Sequence, residues 1–265
     1  MILSIITINR NNKVGLEKTL NSIYPKQNVD FEHIIIDGNS QDGSVALIQS
    51  FAERYMIRWI SEDDKGIFNA MNKGLNLIQG DYVIFMNSGD CFCDNVLSTK
   101  LLETIVKFDM IYGDILVSQG DTVSNVKQTE KLDFVYMLGK TICHQSVFMR
   151  SDLCKKYSFD ESDKFSLMGD WIQLFEILKN ETLSFHKINQ NICIYDGEGV
   201  SDKYADLRHA QRRNYLERYF SPWELESLFE LNRLRNRRYY PLIVKSLDSY
   251  KYSYLLNLLN RIIRL

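Results

Sequence analysis

Short apolar runs alternate with amphipathic helical patterns along the first third of this chain. The apolar runs cover 3–8, 33–36, 56–60 and 81–86, and the helical patterns between them cover 14–23, 45–51 and 66–78. A strand that is joined to the next strand through a helix returns parallel to it in the same sheet. The spacing therefore predicts an α/β fold, Rossmann-like, with a mixed and mostly parallel sheet flanked by helices.

The order of the predicted elements changes after Asp90. One more helix at 95–108 precedes strands at 110–117, 122–128 and 141–149 without comparable helices between them, and a helix at 169–179 and a strand at 183–195 follow. Consecutive strands without a crossover helix pair antiparallel, so we expect mixed pairing here. From residue 202 onward the pattern is helical, with Pro222 and Pro241 as natural breaks.

The composition is that of an ordinary soluble enzyme. The 265 residues carry a formal charge of −2, which argues against a nucleic-acid-binding protein. The five cysteines lack zinc-site or thioredoxin spacing, so reduced thiols in a cytosolic protein are favoured over a metal site at Cys91 and Cys93. No apolar stretch approaches the roughly 20 residues needed to span a bilayer. The apolar N-terminus is typical of a first strand rather than of a signal peptide.

Polar side chains follow three of the predicted strands. Thr7, Asn9 and Arg10 lie at the end of the first strand, Asp37 follows the second and Asp90 the fourth. The carboxyl ends of parallel strands share one edge of the sheet, where ligands of open α/β sheets bind, so we expect these groups to face one ligand. Asp37 can accept a hydrogen bond from a nucleobase imide or a ribose hydroxyl, and Asp90 can hold a divalent cation that bridges phosphates. The alternative is that they are ordinary turn residues.

Four further polar groups have a structural and a functional interpretation. Asp64 precedes a helix whose first residue is Gly66, which would let a backbone approach a ligand, although acids before helices are often only dipole partners. Asp170 is either the N-cap of its helix or a general base whose basicity is raised by partial desolvation. His144 is more often structural in such a position. For Asp42, a helix cap is favoured.

Together these segments resemble the family 2 glycosyltransferases with the GT-A fold, especially the bacterial enzymes that build capsule, O-antigen and exopolysaccharide repeats. The similarity covers roughly 1–200. Residues 4–10 are similar to the family's opening strand and 36–44 to its Asp-Asp-Gly-Ser-Thr-Asp-Gly-Thr loop. Residues 64–74 are similar to the most discriminating segment of the subgroup, and 80–90 fall where the Asp-x-Asp metal motif belongs.

The resemblance implies a site for each participant in sugar transfer. It assigns the nucleotide-sugar donor to the polar residues Thr7, Asn9, Arg10, Asp37, Asp64, Asn72, Lys73, Asn87, Ser88 and Gly89, with Asp37 on the nucleobase. Asp90 would bind Mn²⁺ or Mg²⁺ through the diphosphate. Asp170 would take a proton from the acceptor hydroxyl. His144, Gln145 and Trp171 would lie by the donor or acceptor pocket.

Two departures from the family pattern bear on these roles. The metal motif often reads Asp-x-Asp-Asp, but here Asn87 and Gly89 stand at acidic positions and Asp90 is its one carboxylate. An acid commonly precedes the base, but here Gly169 precedes Asp170. Metal affinity is therefore expected to be weak, and the base assignment depends on Asp170.

The sequence thus predicts a cytoplasmic, metal-assisted, inverting glycosyltransferase that moves a sugar, with a UDP-sugar favoured, to a hydroxyl of a lipid-linked glycan acceptor. The expected catalytic domain is 1–200, with a nucleotide-sugar half at about 1–115 and an acceptor half at about 116–200. Loops that a sugar nucleotidyltransferase or a dinucleotide oxidoreductase needs after the first strand are absent. The rival from another class is a non-catalytic scaffold of a polysaccharide assembly complex.

A helical extension is expected at 201–265, and its end is a separate electrostatic unit. Apolar residues recur at helical spacing over 241–265, interleaved with basic residues. Such a helix can pack on the catalytic domain, contact another copy in a homo-oligomer, or lie on the anionic inner face of the cell membrane. The sequence leaves these alternatives open.

Overall fold

The computed structural model describes residues 3–24, 29–197 and 204–235. The strands are β1 (Leu3–Asn9), β2 (Phe31–Asp37), β3 (Ile57–Ser61), β4 (Tyr82–Phe85), β5 (Cys91–Phe92), β6 (Met110–Gln119), β7 (Thr122–Val126), β8 (Val147–Arg150) and β9 (Phe185–Asp196). The helices are α1 (Lys13–Ile23), α2 (Ser44–Ala52), α3 (Ile67–Leu77), α4 (Thr99–Ile105), α5 (Phe134–Gly139), α6 (Ser151–Lys156), α7 (Gly169–Asn180), α8 (Ala205–Leu216) and α9 (Pro222–Arg235). Short 3₁₀ turns cover His144–Ser146 and Asp163–Phe165.

The strands form one mixed sheet in the order β3-β2-β1-β4-β8-β6-β9-β5, with β7 paired to β6. β1, β2, β3 and β4 are mutually parallel, β8 is antiparallel to β4 and β6, and β9 is parallel to β6. The register places Asn9 beside Asp37 and Asp37 beside Ser61 at the carboxyl edge. The predicted α/β architecture and the change to mixed pairing are confirmed.

The errors in the predicted elements lie after Asp90. Residues 141–149 do not form one strand, because a 3₁₀ turn at His144–Ser146 precedes the four-residue β8. The helix expected at 95–108 spans Thr99–Ile105. The sequence prediction also omits the strand β5 and the short helices α5 and α6. Helix α5 is held by a cap in which Asp133 Oδ1 accepts from the backbone N–H of Tyr136 at 2.9 Å, and six residues are too few to show helical periodicity.

Hydrophobic side chains pack on both faces of the sheet. On one face, α3, α5 and α7 contribute to a core that includes the fully buried Phe165 and Phe175. Leu216 of α8 and Leu225 and Leu228 of α9 are also fully buried in it, so both C-terminal helices that the structure describes pack on this core. None of the described helices is long and apolar enough to cross a membrane. The amphipathic segment predicted at 241–265 lies outside the described residues.

Candidate active site

The loop after β1 ties together the loops that follow β2 and β4. Asn12 caps α1 through its Oδ1, which accepts from Gly15 N–H at 3.0 Å, and its Nδ2 donates to the carbonyl of Ser88 at 3.0 Å. On the other side, the backbone N–H of Asn11 donates to Ser40 Oγ and Asn11 Oδ1 accepts from Gln41 N–H, both at 2.8 Å. The carboxyl ends of three strands therefore form one connected edge.

Asp37 lies at the centre of the loop after β2. Its carboxylate is fully buried and accepts four hydrogen bonds, from Asn9 Nδ2 (2.8 Å), Ser40 N–H (2.9 Å), Ser40 Oγ (2.6 Å) and Ser61 Oγ (2.7 Å). Burial alone would raise the pKa of Asp37, but these donors hold it below its usual value. In this conformation Asp37 organises the loop, and a direct contact with a nucleobase requires Ser40 or Ser61 to give up a bond.

Arg10 and Asp64 flank this loop at Gly38. A Cβ at Gly38 would lie 2.8 Å from Asp64 Oδ2 and 3.2 Å from Arg10 Cδ, so only glycine lets these side chains approach the backbone. Asp64 is held by Lys73, whose Nζ donates to Asp64 Oδ1 at 2.7 Å. Asn72, the neighbour of Lys73, instead donates from its Nδ2 to the carbonyl of Phe159 at 3.0 Å and so faces a different segment of the chain.

Thr7 has a supporting position. It is fully buried in β1, and its hydroxyl lies 2.9 Å from Nε2 of the buried His33. The hydroxyl is therefore engaged inside the sheet, below the edge where Asn9 and Arg10 lie.

Asp90 is a buried carboxylate at the end of the loop after β4. Only 4% of the residue is exposed, and its two oxygens accept from Asp196 N–H at 3.0 Å and Gln145 Nε2 at 2.8 Å. Burial is the main reason that the pKa of Asp90 is raised to about 6. Gln145 thus positions the carboxylate, and only 4% of this residue is itself exposed.

The conformation of this loop depends on Gly89 and Thr19. Gly89 has a φ of +109°, a value that L side chains rarely adopt. Its N–H donates to Thr19 Oγ1 at 3.0 Å, and the Thr19 hydroxyl lies 2.7 Å from the carbonyl of Asp90. The glycine at an acidic position of the family motif therefore permits the turn that presents Asp90.

The residues around Asp90 fit a divalent metal that completes its coordination with substrate phosphates. Asp196 brings a second carboxylate, since a Cβ at Gly89 would lie 3.3 Å from Asp196 Oδ2 and the charge of Asp196 contributes to the raised pKa of Asp90. The buried Oδ1 of Asn87 has no hydrogen-bond partner in the described structure. Hard oxygen ligands of this kind suit Mg²⁺ or Mn²⁺. Proteins often bind Mg²⁺ through one or two carboxylates together with the phosphates of a substrate. No cluster of three acidic, histidine or cysteine ligands occurs among the described residues.

His144 connects this loop to the predicted base. Its Nδ1 lies 3.3 Å from Asp170 Oδ2, and its Nε2 lies 3.4 Å from Asn87 Nδ2. The side chains of His144 and Asp170 are each 24% exposed, so both can meet a ligand. Burial alone would raise the pKa of Asp170, but the hydrogen bond and charge of His144 hold the pKa below its usual value. Desolvation acts on Asp170 in the expected direction, but the expected net increase in its basicity is wrong, because His144 outweighs the effect of burial.

Trp171 is a core residue. It is 1% exposed, its Nε1 donates to the carbonyl of Met137 at 2.7 Å, and its ring stacks on Phe175 at 4.9 Å. It anchors the start of α7 instead of offering its ring to a ligand.

Sequence reasoning missed Asp196, Asn12 and Thr19. Asp196 carried a usable signal, since it ends an apolar strand and precedes a glycine in the same way as Asp37. Asn12 and Thr19 carried none, because their roles depend on which loop lies opposite α1.

Solved structures show that this fold is a GT-A fold. TarS from S. aureus (residues 1–349, in complex with UDP-GlcNAc) superposes with a TM-score of 0.64 at 16% identity over 90% of this chain and 74% of that one. The mannosyltransferase PcManGT from Pyrobaculum calidifontis, in complex with GDP-Man and Mn²⁺, superposes with a TM-score of 0.60 at 14% identity over 98% of this chain and 84% of that one. The chain spans 44% of a longer TarS chain. At these identities the similarity concerns the fold alone.

The sequence identifies the family. The model of glycosyl transferase family 2 matches residues 4–167, more than half of the chain, and the protein belongs to this family. A PGL/p-HBAD biosynthesis glycosyltransferase from Mycobacterium bovis is 25% identical over 218 residues, which cover 79% of this chain and 82% of the relative. Membership supports glycosyl transfer from a nucleotide-sugar donor.

Proposed function

We propose that this protein is an inverting, metal-assisted glycosyltransferase that moves a sugar from a UDP-sugar to a hydroxyl of a lipid-linked glycan in bacterial surface polysaccharide synthesis, at the inner face of the membrane. The observation that carries the catalytic part is the position of His144 between Asn87 of the donor loop and the carboxylate of Asp170. This position of His144 supports a donor site and a catalytic base that lie next to each other. The complexes of TarS with UDP-GlcNAc and of PcManGT with GDP-Man support a nucleotide-sugar as the donor class.

Each group has a defined task in this reaction. Asp170, whose pKa is held low, is ionised at neutral pH and accepts the proton of the acceptor hydroxyl. The hydroxyl oxygen attacks the anomeric carbon opposite the leaving nucleoside diphosphate, without a covalent enzyme intermediate. Asp90, Asp196 and Asn87 would hold the divalent metal, which supplies neutralising charge to the leaving diphosphate. Arg10, Asp37 and Asp64 would bind the nucleoside.

Replacement of the base tests the catalytic assignment. We expect Asp170→Asn to abolish transfer and leave donor affinity within about twofold, because the amide cannot accept a proton but keeps the size of the side chain. Asp163→Asn, an exposed acid ahead of the same helix, is the control and should remain active. The measurements are radiolabelled sugar transfer and calorimetric titration of the donor. Turnover by Asp170→Asn would refute the assignment.

Replacement of Asp90 tests the metal assignment separately. We expect Asp90→Ala to remove the increase in UDP affinity that Mn²⁺ produces in the native protein. An equal Mn²⁺ response in both proteins would contradict the role of Asp90.

Donor hydrolysis with and without Mn²⁺ distinguishes an enzyme from a scaffold that has lost catalysis, since a scaffold would hydrolyse no donor under either condition.

A further inference from the structure

Two arginines on α8, Arg208 and Arg212, have no ion-pair partner among the described residues, and Arg212 lies close to the proposed catalytic centre. Arg212 is only 6% exposed, and its buried Nε has no hydrogen-bond partner in the described structure. Arg208, one helical turn earlier, is half-buried and its Nε is likewise buried and unpartnered. Neither guanidinium forms an ion pair with a described carboxylate.

This arrangement of the two arginines destabilises the folded protein when no anion is bound. A buried charge without a hydrogen-bonded anion loses its hydration without full compensation, and two like charges four residues apart on a helix repel each other. Burial first, and the charge of Arg208 second, lower the pKa of Arg212 to about 10. The neighbouring Arg213 shows the ordinary alternative, because it lies on the surface and pairs with Glu226 at 2.8 Å and with Glu217 at 3.4 Å.

The position of Arg212 relates it to the reaction. Its guanidinium lies 5.3 Å from the ring centre of Trp171, the residue that follows Asp170. The charge of Asp170 acts on it from the facing helix α7. Helix α8 is fixed in this place, since Gln211 Oε1 accepts from the N–H of Leu167 at 3.1 Å just before α7 begins.

We propose that Arg212, assisted by Arg208, binds a diphosphate group of a substrate on the Asp170 side of the active site. A guanidinium presents a planar fork of donors that matches phosphate oxygens, and the stacked Trp171 ring holds that fork in one orientation. An incoming dianion would satisfy both arginines and relieve their repulsion. This inference deepens the proposed function and rests on it. The diphosphate belongs either to the nucleotide-sugar or to a lipid carrier of the acceptor.

Binding of three probes to the full chain, in buffer without divalent metal, tests the proposal. The probes are inorganic pyrophosphate, UDP and geranyl diphosphate, which represent the bare group, the donor and a lipid carrier. We expect Arg212→Gln to weaken pyrophosphate binding at least tenfold, with a smaller loss in Arg208→Gln, and Arg213→Gln to bind as the native protein does. A matching loss for UDP assigns the group to the donor, and a loss for geranyl diphosphate alone assigns it to the acceptor carrier.

Thermal unfolding distinguishes this role from a structural one. Removal of a buried, unpaired charge should leave the Tm of Arg212→Gln unchanged or higher, whereas an arginine that supports the fold would lower it. Arg212→Lys, which keeps the charge but loses the planar fork, should still bind pyrophosphate less tightly than the native protein.

The proposal is overturned if Arg212→Gln binds all three probes as the native protein does. It is also overturned if Arg212→Gln loses binding because it no longer folds while Arg212→Lys binds pyrophosphate as tightly as the native protein does. Failure of the proposed function has a different signature, since the native protein would then transfer no sugar from any nucleotide-sugar while the pyrophosphate site on α8 could still be measured.

Discussion

At the scale of single residues, the carboxylates of this site differ in what surrounds them. Both carboxylates are buried, but Asp37 accepts four hydrogen bonds whereas Asp90 accepts two. Asp37 is therefore stabilised as an anion, and Asp90 is not. A positively charged ligand, such as a metal ion, would therefore stabilise the anion of Asp90 more than the anion of Asp37.

We expect Asp37→Asn to destabilise the protein by about 1–3 kcal/mol at pH 7, because the new amide donor faces existing donors. The pKa of Asp37 is lowered in the folded state, so its stabilisation is present above the unfolded pKa and is lost as pH falls through the folded value. The stability difference between variant and native protein should therefore shrink below about pH 4. Urea unfolding measures it, with the exposed Asp63→Asn as control. A difference that does not change with pH would contradict this account.

At the scale of elements, the contact between α3 and α7 explains a departure from the family pattern. A Cβ at Gly169 would lie 2.6 Å from the ring of Phe68, so the first residue of α7 has no room for a side chain. An acid at this position would displace either Phe68 or the helix that carries Asp170. Glycine is therefore a packing requirement of this chain.

We expect Gly169→Asp, which restores the common family residue, to lower stability by about 1–3 kcal/mol and to lower activity, because overpacking shifts the start of α7. Phe68→Ala should be destabilising alone but should partly rescue Gly169→Asp in a double-mutant cycle. Chemical unfolding and sugar transfer measure both effects. Additive losses in the double variant would show that Phe68 is not the obstacle.

The elements also show what the sequence could and could not predict. The strands β1, β2 and β4 and their polar ends were visible because apolar periodicity and parallel pairing are local properties of the chain. The burial of Arg212 was not visible, since α8 carries several arginines and nothing in its pattern distinguishes the buried ones from Arg213. The position of Asp196 beside Asp90 could not be predicted either, because it depends on the pairing of β9 with β5, which joins distant segments.

At the scale of the whole molecule, α8 and α9 share a core with α7. Tyr215 and Tyr219 hydroxyls both donate to Glu176 Oε1, at 2.9 and 2.7 Å, and Leu216 is fully buried. The described C-terminal helices therefore contribute to the stability of the fold that carries Asp170. The boundary proposed at residue 200 remains a prediction.

We expect Leu216→Ala to lower the free energy of unfolding by about 2–5 kcal/mol, because it opens a cavity in this shared core, and to leave one cooperative transition. Circular dichroism and tryptophan fluorescence should report the same midpoint. The exposed Leu207→Ala on the same helix is the control. A second transition at unchanged temperature would show that α8 unfolds independently.

The predicted membrane role of 241–265 has its own test. If this segment lies on anionic lipid, the full chain should bind vesicles that contain phosphatidylglycerol, and a chain that ends at residue 239 should bind less. Binding should weaken as salt rises. Equal binding by both chains would exclude the membrane interpretation in favour of a protein contact.

The bridge formed by His144 also bears on the order in which substrates enter. Its imidazole contacts the amide of Asn87 through one ring nitrogen and the carboxylate of Asp170 through the other. If, in the proposed reaction, the phosphates of a bound donor draw Asn87 toward themselves, His144 would be left to Asp170 alone, and the base would reach its working orientation only in the donor complex. We therefore expect compulsory-order addition, donor before acceptor, with the nucleoside diphosphate released last and acting as a competitive inhibitor against the donor.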